Sequence, residues 1–298
     1  MEKKYRLMTA KGLADVDGGT LSLQMRNAYF VELYRRLGDG SVSLSAEERA
    51  LLTGALKDKM AIDDRMTFVF NENGEYGGNQ ENPAIRFETD PEFQNYTRNL
   101  LSGMTDDEIR IYLNNYNSVG CGYMATANCI LAEYANKPDE FQNIFGFPLY
   151  IREADGSIHP NFEILAISIY YYCGRDGRNG KKNKGIFPKD AIEKYLTPKD
   201  VDVTVSRTKK FPSIDDIRKD LEIAPVPLSL NPCIMYDANE IRKETGAHAI
   251  TVTGITENGD LIVSSWGVKY TVKRSDYDTI RRIRGEYVVY DKTGMEAK

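Results

Sequence analysis

The chain has 298 residues, of which 41% are hydrophobic and 28% are charged, and its formal net charge is -5. This composition is typical of a globular protein with one large or two modest domains, and it excludes collagen, coiled coil and extended disorder. The negative net charge also argues against a general nucleic-acid-binding protein, which usually carries a basic face. We therefore expect no nucleic acid among its partners.

The sequence contains no apolar run of signal-peptide length at its start and no window with the ~20 apolar residues of a membrane span. We expect a cytoplasmic protein, or one exported without a classical signal peptide, and no membrane partner. The four cysteines lack both the density of a disulfide framework and the C-x-x-C pairs of a zinc site. Free thiols are expected, with no metal and no cofactor.

Residues 1–100 are predicted to form a mainly helical region of unknown role, for which the sequence names no partner. Apolar residues four positions apart predict one helix, and a serine cap with a glutamate three residues later predicts a second helix from Ser45. Residues 66–70 predict a short strand that leads into a Gly/Asn turn. The first helical stripe consists of Leu21, Met25, Tyr29, Leu33 and Leu37.

Two further helix starts are predicted, at Thr89 or Asp90 and at Thr105, where Glu108 completes a capping box. The helix from Thr105 is expected to end near Tyr116. A helix from Cys121, a hairpin at residues 147–160 and an apolar helix at residues 162–173 are expected to follow.

Beyond residue 224 the pattern changes to strands, which are separated by turn residues such as "ENGD". A helical part followed by an antiparallel sheet predicts an α+β fold with a cleft between the two. We assign residues 101–298 to this second domain.

Cys121 stands between two glycines at the start of an apolar helical pattern, "GCGYMATANCIL". The unpaired N–H groups and the dipole of a helix start favour a thiolate, so we expect a lowered thiol pKa at this position. The glycines permit close approach of another backbone or of a substrate. Cys129, Cys173 and Cys233 lie inside apolar segments and are expected to be core residues.

A thiol nucleophile needs a base, and the chain has two histidines. His159 precedes a proline in a predicted turn, which indicates an exposed loop. His248 begins the apolar strand "HAITVTGIT", where its ring can point across a cleft while its backbone is held by the strand. It could also be an ordinary core or surface histidine.

The next strand, "LIVSSWG", returns antiparallel to the level of His248. A polar side chain among Ser264 and Ser265 is therefore expected to hold the imidazole tautomer. Trp266 is expected either to shield that hydrogen bond from water or to be a core residue.

Together, "GCGYMATANCIL" and "HAITVTGITENGDLIVSSWG" resemble the papain-like cysteine peptidase superfamily, and in particular its bacterial double-glycine-peptidase-like branch. In that family a Cys-Gly opens the central helix, a His-Ala opens a strand, and an Asn or Asp ends the next strand. The resemblance covers mainly residues 114–266. It implies a papain-like fold, in which the central helix with the cysteine packs on an antiparallel sheet with the histidine.

The resemblance implies the following roles: Cys121 is the nucleophile, His248 is the general base and acid, and Ser264 is the orienting residue. Serine is a departure from the family's Asn or Asp, because it carries no charge and has a shorter reach. The family's oxyanion-hole glutamine lies about six residues before the cysteine, which implies Asn115, with Asn114 and Asn117 as competitors.

The implied function is a thiol hydrolase, a peptidase or isopeptidase that acts on a protein or peptide substrate through a thioester. A deamidase or a transglutaminase-type acyl transferase is a close variant on the same fold. With no signal peptide expected and with an unrelated helical N-terminal region, the chain also resembles bacterial toxin or effector modules that carry papain folds, by analogy only. The serine in the orienting position leaves a further alternative, a catalytically inactive binding module.

Overall fold

The computed structural model of the protein has an α+β architecture, as predicted. Helices dominate the first 200 residues, and strands dominate the remainder. The residues that the structure describes are 5, 7–16, 29, 32–33, 36–37, 43–59, 76–135, 137–152, 158–173, 185–186, 188–201, 204–207, 212–222, 224–280 and 285–291.

The N-terminal part contains α1 (Ala10–Ala14) and α2 (Ala46–Lys59). Ser45 begins α2 as predicted, because its Oγ accepts from the Glu48 N–H at 3.1 Å and its own N–H donates to the Glu48 carboxylate at 3.0 Å. In the apolar stripe, Tyr29, Leu33 and Leu37 are buried. The other two residues of the stripe, Leu21 and Met25, lie outside the described residues, as does the strand predicted at residues 66–70.

The next helices begin at the predicted caps. Asp90 accepts from the N–H groups of Glu92 and Phe93, and Thr105 and Glu108 form a capping box. Side-chain caps of this kind satisfy the N–H groups that a helix start leaves unpaired. These helices are α3 (Asn82–Thr89), α4 (Pro91–Leu100) and α5 (Asp106–Val119).

The predicted end of α5 near Tyr116 is wrong, because the helix continues to Val119. Gly120 keeps a helical backbone, with φ -71° and ψ -13°, and leads directly into α6 (Cys121–Tyr134). The asparagines of this stretch have low helix propensity, but Tyr112 and Tyr116 are fully buried along the same helix. Tertiary packing therefore decides the local structure.

The predicted hairpin and apolar helix are both present. His159 lies in β2 opposite Ile151 of β1, so the turn predicted for it is wrong, and its side chain lies outside the described part of the structure. The elements of this part are α7 (Pro138–Phe145), β1 (Tyr150–Arg152), β2 (Ile158–Pro160), α8 (Phe162–Tyr172) and α9 (Pro188–Leu196), with a 3₁₀ turn at Thr197–Lys199.

All strand pairs in the main sheet are antiparallel, and the strand order is β3-β10-β4-β7-β8-β9-β5-β6. The strands predicted beyond residue 224 are present, and β3 and β6 are additional strands that were not predicted from the sequence. Two helices accompany the sheet, α10 (Ile214–Leu221) and α11 (Arg274–Ile280). The strands are β3 (Thr204–Arg207), β4 (Val226–Leu230), β5 (Cys233–Tyr236), β6 (Arg242–Thr245), β7 (His248–Ile255), β8 (Leu261–Ser265), β9 (Val268–Val272) and β10 (Gly285–Asp291).

The cysteine-bearing helix α6 packs between α8 and the sheet, where it contacts β4, β7 and β8. Strand β7 is buried at every residue because both of its faces are covered. On one face Thr251 bonds to α6, and on the other Ile250 and Val252 share an apolar core with α10 and α11. The helix with Cys121 and the strand with His248 are thus held in direct contact.

The predicted division at residue 100 does not coincide with a break in packing. One apolar core includes buried residues from Tyr5 to Ala224, and residues 76–80 lie against α6 and β8. Within the described ranges, no helix is both long enough and apolar enough to cross a bilayer.

Candidate active site

The Cys121 thiol lies at the first residue of α6 and is partly exposed. Burial raises its pKa, and this effect outweighs the backbone N–H groups of Ala249, Gly122 and Cys121, which lower it. The predicted lowering of the pKa is therefore wrong in its net direction, because the helix start is covered by the sheet. At neutral pH the thiol is protonated and needs a base.

The glycines beside Cys121 allow neighbouring atoms to pack closely against the start of α6. A Cβ on Gly122 would stand 2.0 Å from the carbonyl oxygen of Ile186, and a Cβ on Gly120 would stand 2.9 Å from two atoms of Tyr116. The sequence suggested that these glycines permit close approach of either another backbone or a substrate. The structure shows close approach of another backbone, at Ile186.

His248 lies at the start of β7 with only 7% of its surface exposed. Its Nε2 lies 2.7 Å from the Ser265 Oγ, and its ring stacks on Trp266 at a centroid distance of 4.1 Å and an angle of 10°. Burial lowers the pKa of His248 to about 4, and the positive charge of Lys243 adds to the effect. The imidazole is therefore neutral at physiological pH and able to accept a proton.

Ser265, rather than Ser264, is the serine that contacts the imidazole. Ser264 is paired with Thr251 across the sheet, and both side chains face α6, where Asn128 donates to each of them. The Ser264 Oγ donates to the carbonyl of Tyr76 at 2.6 Å. Successive side chains of a strand point to opposite faces, so a shift of one residue exchanges the two roles.

Trp266 adopts a left-handed backbone, with φ 49°, and Gly267 follows at φ 70°. Ser265 pairs with Val268, so these two residues form the two-residue turn between β8 and β9. Such turns favour Asn or Gly at the first position, and a left-handed non-glycine residue costs about 1 kcal/mol or more. The cost is offset by the stacking that shields the His248 imidazole, which confirms the predicted contact.

Residues 76–80, here called the strap, cross the site from the N-terminal side. The N–H of Tyr76 donates to the Gly267 carbonyl at 2.7 Å, and the N–H of Gly267 donates to the Gly78 carbonyl at 3.1 Å. The N–H of Gly78 donates to Asn128 Oδ1 at 3.0 Å. The strap is therefore fixed to the turn that carries Trp266 and to the helix that carries Cys121.

The strap also supplies a site residue that the sequence did not reveal. Gln80 lines the same pocket as Cys121, and its Nε2 donates to the Asn117 carbonyl at 2.9 Å, which leaves a second amide hydrogen for a ligand. Asn115 does not line this pocket, and it lies inside α5 rather than in a loop. The consecutive glycines before Gln80 were the available signal of a close backbone approach.

Two of the other three cysteines are core residues as expected, whereas Cys173, for which the same was expected, is only partly buried. Cys129 and Cys233 are buried, and burial raises the pKa of both thiols, that of Cys233 to about 12. The thiol of Cys129 lies 3.6 Å from the carbonyl of Pro225. Cys173 is partly exposed at the end of α8. Neither buried thiol lines the pocket of Cys121.

The predicted nucleophile and base both line one small, partly open cleft. It brings together residues of α6, the strap, β7 and the β8–β9 turn, and the described residues contain no cluster of His, Cys, Asp and Glu that could hold a metal ion. Its walls include Gly78, Gln80, Cys121, His248, Ser265 and Trp266.

Comparisons of the chain with protein-family models, with curated proteins and with solved structures give no match. The site geometry, together with the sequence motifs, is therefore the basis of the functional assignment.

Proposed function

We propose that the protein is a papain-like thiol hydrolase that acts on a protein or peptide through a thioester at Cys121. The observation that carries this proposal is the shared cleft of Cys121 and His248, whose imidazole is held by Ser265 and covered by Trp266. A buried imidazole that lines the same cleft as a thiol at a helix start is an arrangement that thiol acyl transfer can use.

The hydrogen bond between Nε2 of His248 and the Ser265 Oγ permits both imidazole tautomers, and the proposed reaction uses the one with the proton on Nε2. With the proton on Nε2 donated to the Ser265 Oγ, Nδ1 carries the lone pair that accepts the Cys121 proton. The sulfur then attacks the substrate carbonyl carbon. The oxyanion accepts hydrogen bonds from the Cys121 N–H and from the side-chain amide of Gln80.

Breakdown of this intermediate cleaves the carbon–nitrogen bond, and the His248 imidazolium gives its proton to the leaving amine. Water then attacks the thioester while His248 accepts its proton, and the acid and the free thiol are released. An amine in place of water would form a new amide. Peptidase, deamidase and transglutaminase-type reactions thus share every step up to the thioester.

Ser265 distinguishes this site from one with a carboxylate or an amide at the same position. A neutral hydroxyl does little to stabilise an imidazolium, which agrees with the low pKa of His248. The resting pair is accordingly a neutral thiol and a neutral imidazole. His248 therefore works as a general base during the attack.

The test is incubation of the protein with a complex peptide mixture, followed by mass spectrometry. New peptide termini indicate a peptidase, glutamine converted to glutamate indicates a deamidase, and cross-linked peptides indicate a transglutaminase. We expect one of these products from the wild type and from Cys173→Ala, and none from Cys121→Ala or His248→Gln. Products that persist in Cys121→Ala would refute the proposal, and an inert wild type would favour the binding module.

A further inference from the structure

Lys243 places an ammonium group beside the candidate site. Its Nζ lies 3.7 Å from the ring centroid of Trp266 and 5.7 Å from that of Tyr270. Trp266 in turn stacks on His248 and lines the cleft with Cys121. The ammonium is therefore one aromatic ring away from the imidazole.

This charge has no carboxylate partner among the residues that the structure describes, whereas two neighbouring cations do. Arg242 pairs with Glu244 at 2.6 Å, and Lys273 pairs with Glu240 at 2.6 Å. Lys243 lies on the exposed strand β6, within reach of solvent and of a ligand. It is thus a positive charge in contact with Trp266, a residue of the cleft wall, in a protein whose net charge is -5.

The charge acts against the chemistry of the free site. After burial, it is the second cause of the low pKa of His248, so it disfavours the imidazolium that forms when the Cys121 thiol is deprotonated. An anion bound at Lys243 would neutralise the ammonium and remove this penalty. Binding of an anionic substrate and activation of the base would then be coupled.

We propose that Lys243 selects substrates that carry a carboxylate next to the attacked carbonyl, as an acidic side chain of a peptide does. The inference rests on the proposed thiol chemistry of Cys121 and adds the class of substrate. The cation–aromatic contact holds the ammonium against Trp266 of the cleft wall, on the exposed strand β6, where a carboxylate can reach it from solvent.

The test compares two alkylating reagents of similar size at Cys121, iodoacetate, which carries a carboxylate, and iodoacetamide, which is neutral. The rates are measured by mass spectrometry at pH 8, where His248 is neutral in every variant. Removal of Lys243 also changes the nucleophilicity of the thiol. This change affects both reagents equally and therefore cancels in the ratio of the iodoacetate rate to the iodoacetamide rate. Cys173, which is partly exposed, gives the internal reference.

We expect Lys243→Met to lower the ratio at Cys121 by about threefold to tenfold, as for a partly screened charge pair at the surface. Lys243→Arg keeps the charge and is expected to keep the ratio within about twofold. The matched control is Lys273→Met, which removes a paired cation of the same sheet. Since exposed charges are screened by salt, about 0.5 M NaCl is expected to shrink the Lys243→Met effect.

An unchanged ratio in Lys243→Met would overturn the inference, and so would an equal loss in Lys273→Met, which would indicate a general effect of net charge. Failure of the proposed function gives a different result. In that case Cys121 of the wild type would react no faster than Cys173 with iodoacetamide, whatever the ratio between the reagents.

Discussion

Acidification from pH 7 to pH 5 is expected to destabilise the protein through His248. Its pKa is about 4 in the folded protein, against an ordinary value of 6.5. Between about pH 4 and pH 6.5, the His248 side chain binds a proton in the unfolded chain but not in the folded protein. The free energy of unfolding therefore falls as the pH is lowered through this window, and the stability contribution is fully present only above about pH 6.5.

The difference between 6.5 and about 4 corresponds to an upper limit of about 3 kcal/mol, at about 1.4 kcal/mol for each pH unit. Between pH 7 and pH 5 the linkage relation gives a loss of about 2 kcal/mol. Carboxylates titrate mainly below this range, since their ordinary pKa values lie near 4. The interval therefore isolates the two histidines.

The assay is urea unfolding at pH 5, 6 and 7 for the wild type, His248→Gln and the control His159→Gln. The wild type and His159→Gln are expected to lose about 2 kcal/mol over the interval, and His248→Gln is expected to lack this component. The comparison uses the slope within each variant, so a lower stability of His248→Gln at pH 7 does not affect it. An equal slope in His248→Gln would refute the account of a buried neutral imidazole.

Three further predictions concern single residues of the site. Gln80→Ala is expected to slow acylation by p-nitrophenyl acetate about a hundredfold, because one hydrogen-bond donor to the oxyanion is lost. The rate is measured as the nitrophenol burst, and the control Asn115→Ala is expected to leave it unchanged. Ser265→Ala is expected to slow the same burst about tenfold and to lower the free energy of unfolding by about 1 kcal/mol, because it leaves a buried ring nitrogen unpaired. Gly122→Ala is expected to cost more than about 2 kcal/mol in urea unfolding, because the added Cβ meets a carbonyl oxygen at 2.0 Å. Gly246→Ala, with open space around its Cβ, is the control and is expected to change stability by less than about 0.5 kcal/mol.

Local patterns were sufficient to predict the α+β class, the capped helix starts and most strands of the sheet. Ser45, Asp90 and Thr105 cap helices because their side chains satisfy N–H groups within the next turn. Such information lies within three or four residues of sequence. The resemblance, in the same way, located Cys121 and His248, which begin a helix and a strand that are each recognisable alone.

The remaining site residues depend on contacts that no local pattern encodes. Ser264 and Ser265 are adjacent, and the sheet register alone decides which one faces His248. Gln80 reaches the cleft because the strap pairs with the β8–β9 turn, almost 190 residues further along the chain. Asn115 was implied by a family spacing that assumes a loop, whereas here α5 is continuous.

The electrostatics were also beyond prediction from the sequence. The start of α6 favours a thiolate locally, but β7 covers the sulfur, and the cost of burial is larger. The approach of Lys243 to Trp266 depends on β6, a strand that was not predicted from the sequence. Both effects arise from tertiary packing, and both favour a neutral thiol and a neutral imidazole in the proposed mechanism.

The most direct test of the account is the rate of iodoacetamide alkylation of Cys121 at pH 7 in the wild type and in His248→Gln, with Cys173 as the internal reference. If His248 is the base, Cys121 of the wild type reacts at least about tenfold faster than Cys173, and His248→Gln removes this advantage while the rate at Cys173 is unchanged. Equal rates at Cys121 in the two proteins would contradict the assignment of Cys121 and His248 as one reactive pair.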